Sequence, residues 1–149
     1  MLFRSWDTNT DVEKVIKEFT DAYYGAAAPM IREYIEDLHD TVCDKDKSHV
    51  RIWSAPSDFL NHPDKLVKWN DLFLKAEAAV ADNPTLLHRV KVAHIGVQYT
   101  MVSLSGALLK FENGRLVPQL SVDQNTIASL ADTIKAEGIT HVRDRKSVV

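Results

Sequence analysis

The chain has 149 residues, of which 45% are hydrophobic and 26% are charged, and this balance is typical of a single globular domain. Its formal net charge of −3 argues against nucleic acid as a partner, because phosphate backbones are bound by basic surfaces. The single cysteine, Cys43, excludes an internal disulfide. The sequence contains neither an apolar run of about 18 residues, which a membrane span needs, nor the features of a signal peptide. The compartment is therefore left open.

The first predicted helix follows Thr10 and ends at Gly25. Thr10 and Glu13 match a capping box, in which a hydroxyl and a carboxylate each accept a hydrogen bond from a backbone N–H at the start of a helix. Gly25 stands where a left-handed helix end is expected. The apolar residues recur at three- and four-residue steps, and we expect them to form the buried stripe of this helix: Val12, Val15, Ile16, Phe19 and Tyr23.

Two further helices are expected next. The second runs from about residue 26 to Val42, so its link to the first is very short. The third begins at Pro63, which suits a first helical turn because its missing N–H would have no helical partner there, and it ends near Ala81. Between them, residues 43–62 are irregular, apart from an alternation at 49–53 that is typical of a short strand.

The longest predicted helix extends from Pro84 to about Lys110 and carries apolar residues on two faces. One face contains Leu86, Val90, Ala93, Val97, Met101, Leu104 and Leu108. The other contains Val92, Ile95, Tyr99, Val102 and Leu109. A surface helix needs one apolar stripe, so a helix with two is expected to be packed on two sides. We therefore predict that it is the central rod of a helical bundle.

The C-terminal part is expected to close this bundle. Asn113 and Gly114 mark either the stop of the central helix or a tight turn, and residues 115–120 are predicted to be a loop because they contain Pro118. A last helix is predicted from about Val122 to Glu137.

The ends of that last helix and the overall class complete the fold prediction. Ser121 and Gln124 match a capping box, and Gly138 is expected to end the helix. Residues 139–143 look like a short strand that could pair with 50–53. The predicted fold is an all-α single domain over residues 1–149, with four to five helices around the helix at about 84–110 and a minor two-stranded β element.

The best metal-site candidate is the set His39, Cys43 and His49. His39 and Cys43 lie one helical turn apart and would face the same way, and zinc takes three or four converging nitrogen, sulfur or oxygen ligands. The chain offers no second cysteine, however, and the aspartates nearby suit a solvated helix end. The favoured interpretation is that there is no metal and no cofactor.

No residue pattern predicts catalysis. His88 and His94 are six residues apart, so they lie on different sides of a helix and are best explained as core or surface histidines. The acidic residues lie mostly where helices favour them, and 149 residues are too few for a barrel of about 250 residues. The chain by itself is expected to be non-catalytic.

Three aromatic residues are candidates for contact with a ligand or a partner: Trp6, Tyr24 and Trp53. Trp6 and Tyr24 fall outside the predicted apolar stripes, and Trp53 lies in the irregular segment. Tyrosine and tryptophan suit such contacts because each has an apolar body with a polar end. A structural role is the alternative interpretation for all three.

A family resemblance adds to these patterns. The chain is similar to the C-terminal helical region of a bacterial family of unknown function, common in gut Bacteroidetes, whose large members contain a glycoside hydrolase-like barrel. The residues that carry the resemblance are Trp6-Asp7-Thr8-Asn9-Thr10-Asp11-Val12, Ile16, Phe19, Tyr23-Tyr24-Gly25, Ala27-Ala28, Ile31, Tyr34 and Gly138-Ile139-Thr140. Thr8 replaces a proline of the family pattern, and Arg4-Ser5 stand where that pattern has an apolar helix end.

The resemblance implies a non-catalytic helical accessory domain that is a fragment or a truncated relative of such a protein. In the family a barrel precedes the Trp-Asp segment, so packing against an N-terminal barrel is expected, and full-length relatives are expected to be exported. No catalytic residue is transferred, because the barrel is not in this sequence. We expect an apolar patch near Trp6 and Tyr24, which self-association would cover. The alternative is a stand-alone helical module that binds a protein or another ligand.

Overall fold

The computed structural model describes residues 11–43, 60–106, 108–143 and 146–147. These residues are mostly helical, so the predicted all-α class with a minor β element is confirmed. The elements are α1 (Val12–Tyr24), a 3-10 turn (Gly25–Ala27), α2 (Ala28–Val42), α3 (Pro63–Ala79), α4 (Pro84–Ser105), β1 (Leu109–Glu112), β2 (Arg115–Pro118), α5 (Gln124–Ala136), β3 (His141–Arg143) and β4 (Lys146–Ser147). None of the helices among the described residues has the length and apolar content that crossing a bilayer requires.

The α4 helix is the centre of the bundle, as predicted. It begins at Pro84, where the Asn83 side chain accepts a hydrogen bond from the N–H of Leu86 at 3.2 Å. It contacts α1, α3 and α5, so it is packed on more than one side. The core that it forms with α3 contains Leu66, Trp69, Phe73, Ala76, Val90, Val97, Met101 and Leu104.

The C-terminal end of α4 differs from the prediction. The helix ends at Ser105 instead of near Lys110, because residues 109–112 pair with 115–118 in an antiparallel hairpin. Asn113 and Gly114 have φ values of 50° and 77°, which makes them the two-residue turn of this hairpin. The tight-turn interpretation is therefore correct, and the prediction of a loop over residues 115–118 is wrong.

The side of α1 that faces the core was also predicted wrongly. The expected buried stripe faces solvent, with Val12 65% and Phe19 51% exposed, whereas Thr20, on the flank of the helix that contacts α2, is 1% exposed. The cap differs too, since the side chain of Asp11 accepts from the N–H of Lys14 at 3.1 Å, and Thr10 lies outside the described residues. The predicted end at Gly25 is confirmed, with a positive φ of 57°.

The last helix is capped by a residue that the sequence analysis did not select. Asp123 accepts a hydrogen bond from the N–H of Thr126 at 2.6 Å, in place of the Ser121 cap that was predicted. This hydrogen bond lowers the pKa of the Asp123 carboxyl below its ordinary value. Beyond the helix, β3 pairs with β4 in antiparallel fashion, and the predicted partner segment 50–53 lies outside the described residues.

Candidate interaction surface

The most exposed apolar surface on a helix is one side of α1, which we call the α1 face. Its residues are Val12, Val15, Ile16, Phe19 and Tyr23, each at least 39% exposed. Their spacing places them on one stripe of the helix. The rings of Phe19 and Tyr23 stack with their centroids 5.4 Å apart. An apolar stripe of this kind on a monomer surface is typical of a contact with another protein surface.

The side of α1 that faces α2 is held in place by polar contacts. Arg32 of α2 donates a hydrogen bond to the Thr20 hydroxyl at 2.8 Å and pairs with the Asp21 carboxylate. Hydrogen bonds from Lys17 and from Arg32 lower the pKa of the Asp21 carboxyl below its ordinary value. Because these contacts fix which side of α1 meets α2, they also fix which side faces solvent.

The C-terminal end of α1 is tied to the central helix. Arg89 of α4 donates to the carbonyl oxygen of Tyr23 at 2.9 Å, and its guanidinium carbon lies 4.4 Å from the centre of the Tyr23 ring. A cation over an aromatic ring is attracted by the electron-rich face of that ring. Arg89 therefore orients the last aromatic ring of the α1 face and places a positive charge beside it.

A second apolar surface lies on the β1–β2 hairpin. Phe111 is opposite Leu116 and Leu109 is opposite Pro118, and residues that are directly opposite in an antiparallel pair share one face. We call this set the hairpin face. Phe111 is 74% exposed and Leu116 is 65% exposed.

The other side of the hairpin is charged. Lys110 and Glu112 alternate with the apolar residues of β1, and Arg115 is opposite Glu112. The Lys110 ammonium lies 3.3 Å from the Glu112 carboxylate. The hairpin is thus amphipathic, although both of its sides are in contact with solvent.

His94 is the most conspicuous buried polar residue, and its contacts connect α3 to α4. Its Nδ1 is 2.8 Å from Oε1 of Glu77, its Nε2 is 3.1 Å from Oδ1 of Asn70, and its ring stacks on Phe73. A general acid or base needs a nitrogen that faces the substrate. Both ring nitrogens of His94 are occupied within the fold, so this group supports a structural role and matches the predicted core histidine.

A second polar cluster joins α2 to α3. The Asp37 carboxylate accepts hydrogen bonds from Lys65 at 2.9 Å and from the indole N–H of Trp69 at 2.8 Å. Lys65, and to a smaller extent Trp69, lower the pKa of the Asp37 carboxyl below its ordinary value, against the opposing effect of burial. The carboxylate is satisfied by donors of α3 and positions Trp69 in the core.

Of the three residues predicted to contact a ligand or a partner, the structure describes Tyr24. Trp6 and Trp53 lie outside the described residues. Tyr24 is half-buried, packs against the core and meets the Tyr23 ring edge-on, with centroids 4.9 Å apart. Burial raises the pKa of the Tyr24 phenol above its ordinary value. Its neighbour Tyr23 contributes to the exposed surface instead.

The weak metal candidate is not assembled in the part of the chain that the structure describes. Cys43 is exposed and follows His39 by one turn, with its N–H donating to the His39 carbonyl at 2.8 Å. His49 lies outside the described residues. Among those that are described, no group of three or more His, Cys, Asp or Glu residues could hold a metal ion.

Sequence reasoning missed both exposed apolar faces. The α1 face has the same periodicity as a buried stripe, so the sequence contains no signal that separates the two. For the hairpin, the Asn113-Gly114 pair between two apolar runs was the available signal. No protein-family model, no curated protein and no solved structure matches the chain.

Proposed function

We propose that the chain is a non-catalytic helical accessory module of a larger carbohydrate-active protein, and that its α1 face packs against the domain that precedes it there. The observation that supports this is the exposure of the α1 face on a helix whose α2-facing side is already fixed by Thr20 and Asp21. Removing apolar surface from water is favourable, so an exposed stripe of this kind favours a contact with another apolar surface.

The position of α1 also supports the proposal. The helix directly follows the segment Trp6–Asp11, which resembles the exit from the barrel in the family described above. In such a protein, α1 is the first helix after the junction, and this closeness in sequence favours its outer side as the contact with the barrel. Glu18, which follows Val15 by three residues at the edge of the stripe and is exposed, would contribute to a polar rim around the contact.

The direct test is a titration of the chain with a separately produced barrel from that family. Phe19→Glu places a charge in the middle of the α1 face and should weaken binding by tenfold or more, because a buried unpaired charge is costly. Leu74→Glu is the matched control, since Leu74 is 51% exposed on α3, and it should bind like the original chain.

Calorimetry would measure both affinities. Lack of any binding to the barrel, or equal binding by the Phe19→Glu chain, would refute the proposal. The DNA upstream of the Met1 codon gives a second readout. An in-frame barrel there supports the accessory role, whereas a stop codon followed by a ribosome-binding site favours the stand-alone binding module.

A further inference from the structure

The backbone of the hairpin shows which of its groups face away from the pair. The N–H of Gln119 donates to the carbonyl of Leu108 at 2.8 Å, so residue 108 is in a hydrogen-bonded position of the ladder. These positions alternate along antiparallel strands. The backbone groups of Lys110 and Glu112 therefore face β2, whereas those of Leu109 and Phe111 face outward from the β1 edge. The Gln119 side chain donates to the carbonyl of Leu109 at 3.0 Å, so this carbonyl already has a partner within the chain.

We infer that the β1 edge pairs antiparallel with the β1 edge of a second copy of this chain, forming a four-stranded sheet across a two-fold axis at Phe111. In this register the two Phe111 residues are directly opposite, and the N–H of each Phe111 can donate to the Phe111 carbonyl of the other copy. The inference concerns the hairpin alone and goes beyond the proposed accessory role, which uses the α1 face.

Charge complementarity favours a second copy of this chain as the partner of the β1 edge, and it favours this register. With the axis at Phe111, Lys110 is opposite Glu112 of the second copy, and Glu112 is opposite Lys110 of the second copy. Opposite charges directly across an antiparallel pair stabilise it, whereas like charges destabilise it. Arg115 is already opposite Glu112 within each hairpin. Each row on the charged side would then alternate in sign over Arg115, Glu112 and Lys110 of the second copy, and would end at the uncharged Val117 of the second copy.

The other edge of the hairpin does not offer the same pairing. By the same alternation, the outward positions of β2 are Leu116 and Pro118. Proline has no N–H to donate to a neighbouring strand. Pairing β2 with itself about Leu116 would also place Arg115 opposite Val117, with no opposite charge. The β1 edge is therefore the edge that fits a second copy.

The apolar side of the hairpin gains neighbours in the same arrangement. The two Phe111 rings would lie side by side at the axis, with Leu116 of each copy next to them. Phe111, at 74%, is the most exposed large hydrophobic residue among those described, and an aromatic pair across strands is stabilising. Two-stranded hairpins are marginal alone, and added strands stabilise them.

The test is the mass of the full chain in solution, measured by sedimentation over a range of concentrations. The original chain should shift from one copy of 16.8 kDa to twice that mass as its concentration rises. Lys110→Glu and Glu112→Lys should each remain at the mass of one copy, because each variant places like charges opposite one another twice per dimer. Lys75→Glu makes the same charge change at an exposed position of α3 and should still dimerise.

Mixing the two charge variants distinguishes a loss of pairing between copies from damage to the hairpin itself. An equimolar mixture of the Lys110→Glu and Glu112→Lys chains restores both opposite-charge pairs and should regain the doubled mass. A weakened hairpin would not be rescued in this way. An original chain that stays at one copy up to its solubility limit would overturn the inference, and so would a mixture that does not dimerise.

Two substitutions of the axis residue test the backbone contact. Phe111→Pro removes an N–H that faces away from β2, so it leaves the ladder of the hairpin intact but should abolish the dimer. Phe111→Thr keeps that N–H and should retain a weaker dimer. Equal loss of dimer in both variants would contradict edge pairing. Phe19→Glu should leave the dimer unchanged, so failure here and failure of the accessory role are distinguishable.

Discussion

Helices α1 and α3 carry similar apolar periodicity, yet they use it in opposite ways. In α3 the stripe that contains Trp69 and Phe73 is buried against α2 and α4. In α1 the stripe that contains Ile16 and Phe19 faces solvent, and the helix is attached through polar contacts of Thr20 and Asp21. The comparison shows that periodicity identifies the residues that share a face, whereas the neighbours of a helix decide whether that face is buried.

The largest expected effect comes from matched truncations in the two helices. Phe73→Ala should lower the free energy of unfolding by about 3–5 kcal/mol, because it removes buried contacts and leaves a cavity. Phe19→Ala should change it by no more than about 0.5 kcal/mol, since Phe19 is 51% exposed. Urea denaturation of both variants measures the difference. If the two losses were equal, the α1 face would be covered in solution and the comparison would fail.

Two histidines of α4 provide the same contrast between a buried and an exposed side chain. His94→Leu should lower the free energy of unfolding by about 2–3 kcal/mol, because it leaves the oxygens of Glu77 and Asn70 without their partner inside the fold. His88→Leu is the control, since its side chain is 58% exposed and its contact with Glu137 is at the surface. We expect about 0.5 kcal/mol or less there. Comparable losses for the two variants would show that His94 is not a buried link.

The smallest expected effect is a dependence of stability on pH at the α2–α3 contact. Lys65 lowers the pKa of Asp37 below its ordinary value of 3.8, so the ionised carboxylate stabilises the fold. That stabilisation is present above pH 3.8 and is lost as the pH falls through the lower pKa of the folded state. Asp37→Asn should therefore cost about 1 kcal/mol at neutral pH and progressively less in acid.

Denaturation at a series of pH values measures the Asp37 effect. The difference between the original chain and the Asp37→Asn variant should shrink as the pH falls below 3.8. A difference that stays constant with pH would mean that the hydrogen bond from Trp69, rather than the charge, carries the contribution of Asp37. The surface pair of Lys14 and Glu18, at 3.9 Å, offers a comparison that should show almost no effect.

Much of the fold was predictable because local chemistry determines helix boundaries. Pro63 and Pro84 begin their helices as expected, and Gly25 and Gly138 follow theirs with positive φ values of 57° and 65°. The hairpin was missed because the apolar residues that continue the helical period of α4 also alternate in a way that suits a strand. The pairing of residues 109–112 with 115–118 decided between the two.

The candidate surfaces were less predictable than the core. The five residues of the α1 face were correctly grouped on one side of a helix, but the sequence analysis assigned them to the interior. Tyr24 was selected as a contact because it falls outside that group, and it is half-buried for the same reason. Exposure depends on contacts between elements that are distant in sequence, such as Arg32 with Thr20 and Arg89 with Tyr23.

By itself, the sequence determined the helical class, the central position of α4 and the residues that share each face, because caps, prolines and periodicity act over a few neighbouring residues. Tertiary structure alone decided that the α1 face is exposed, that His94 links two helices, and that β1 presents Phe111 outward. These properties depend on which elements meet, and the free energy of packing between distant segments decides that.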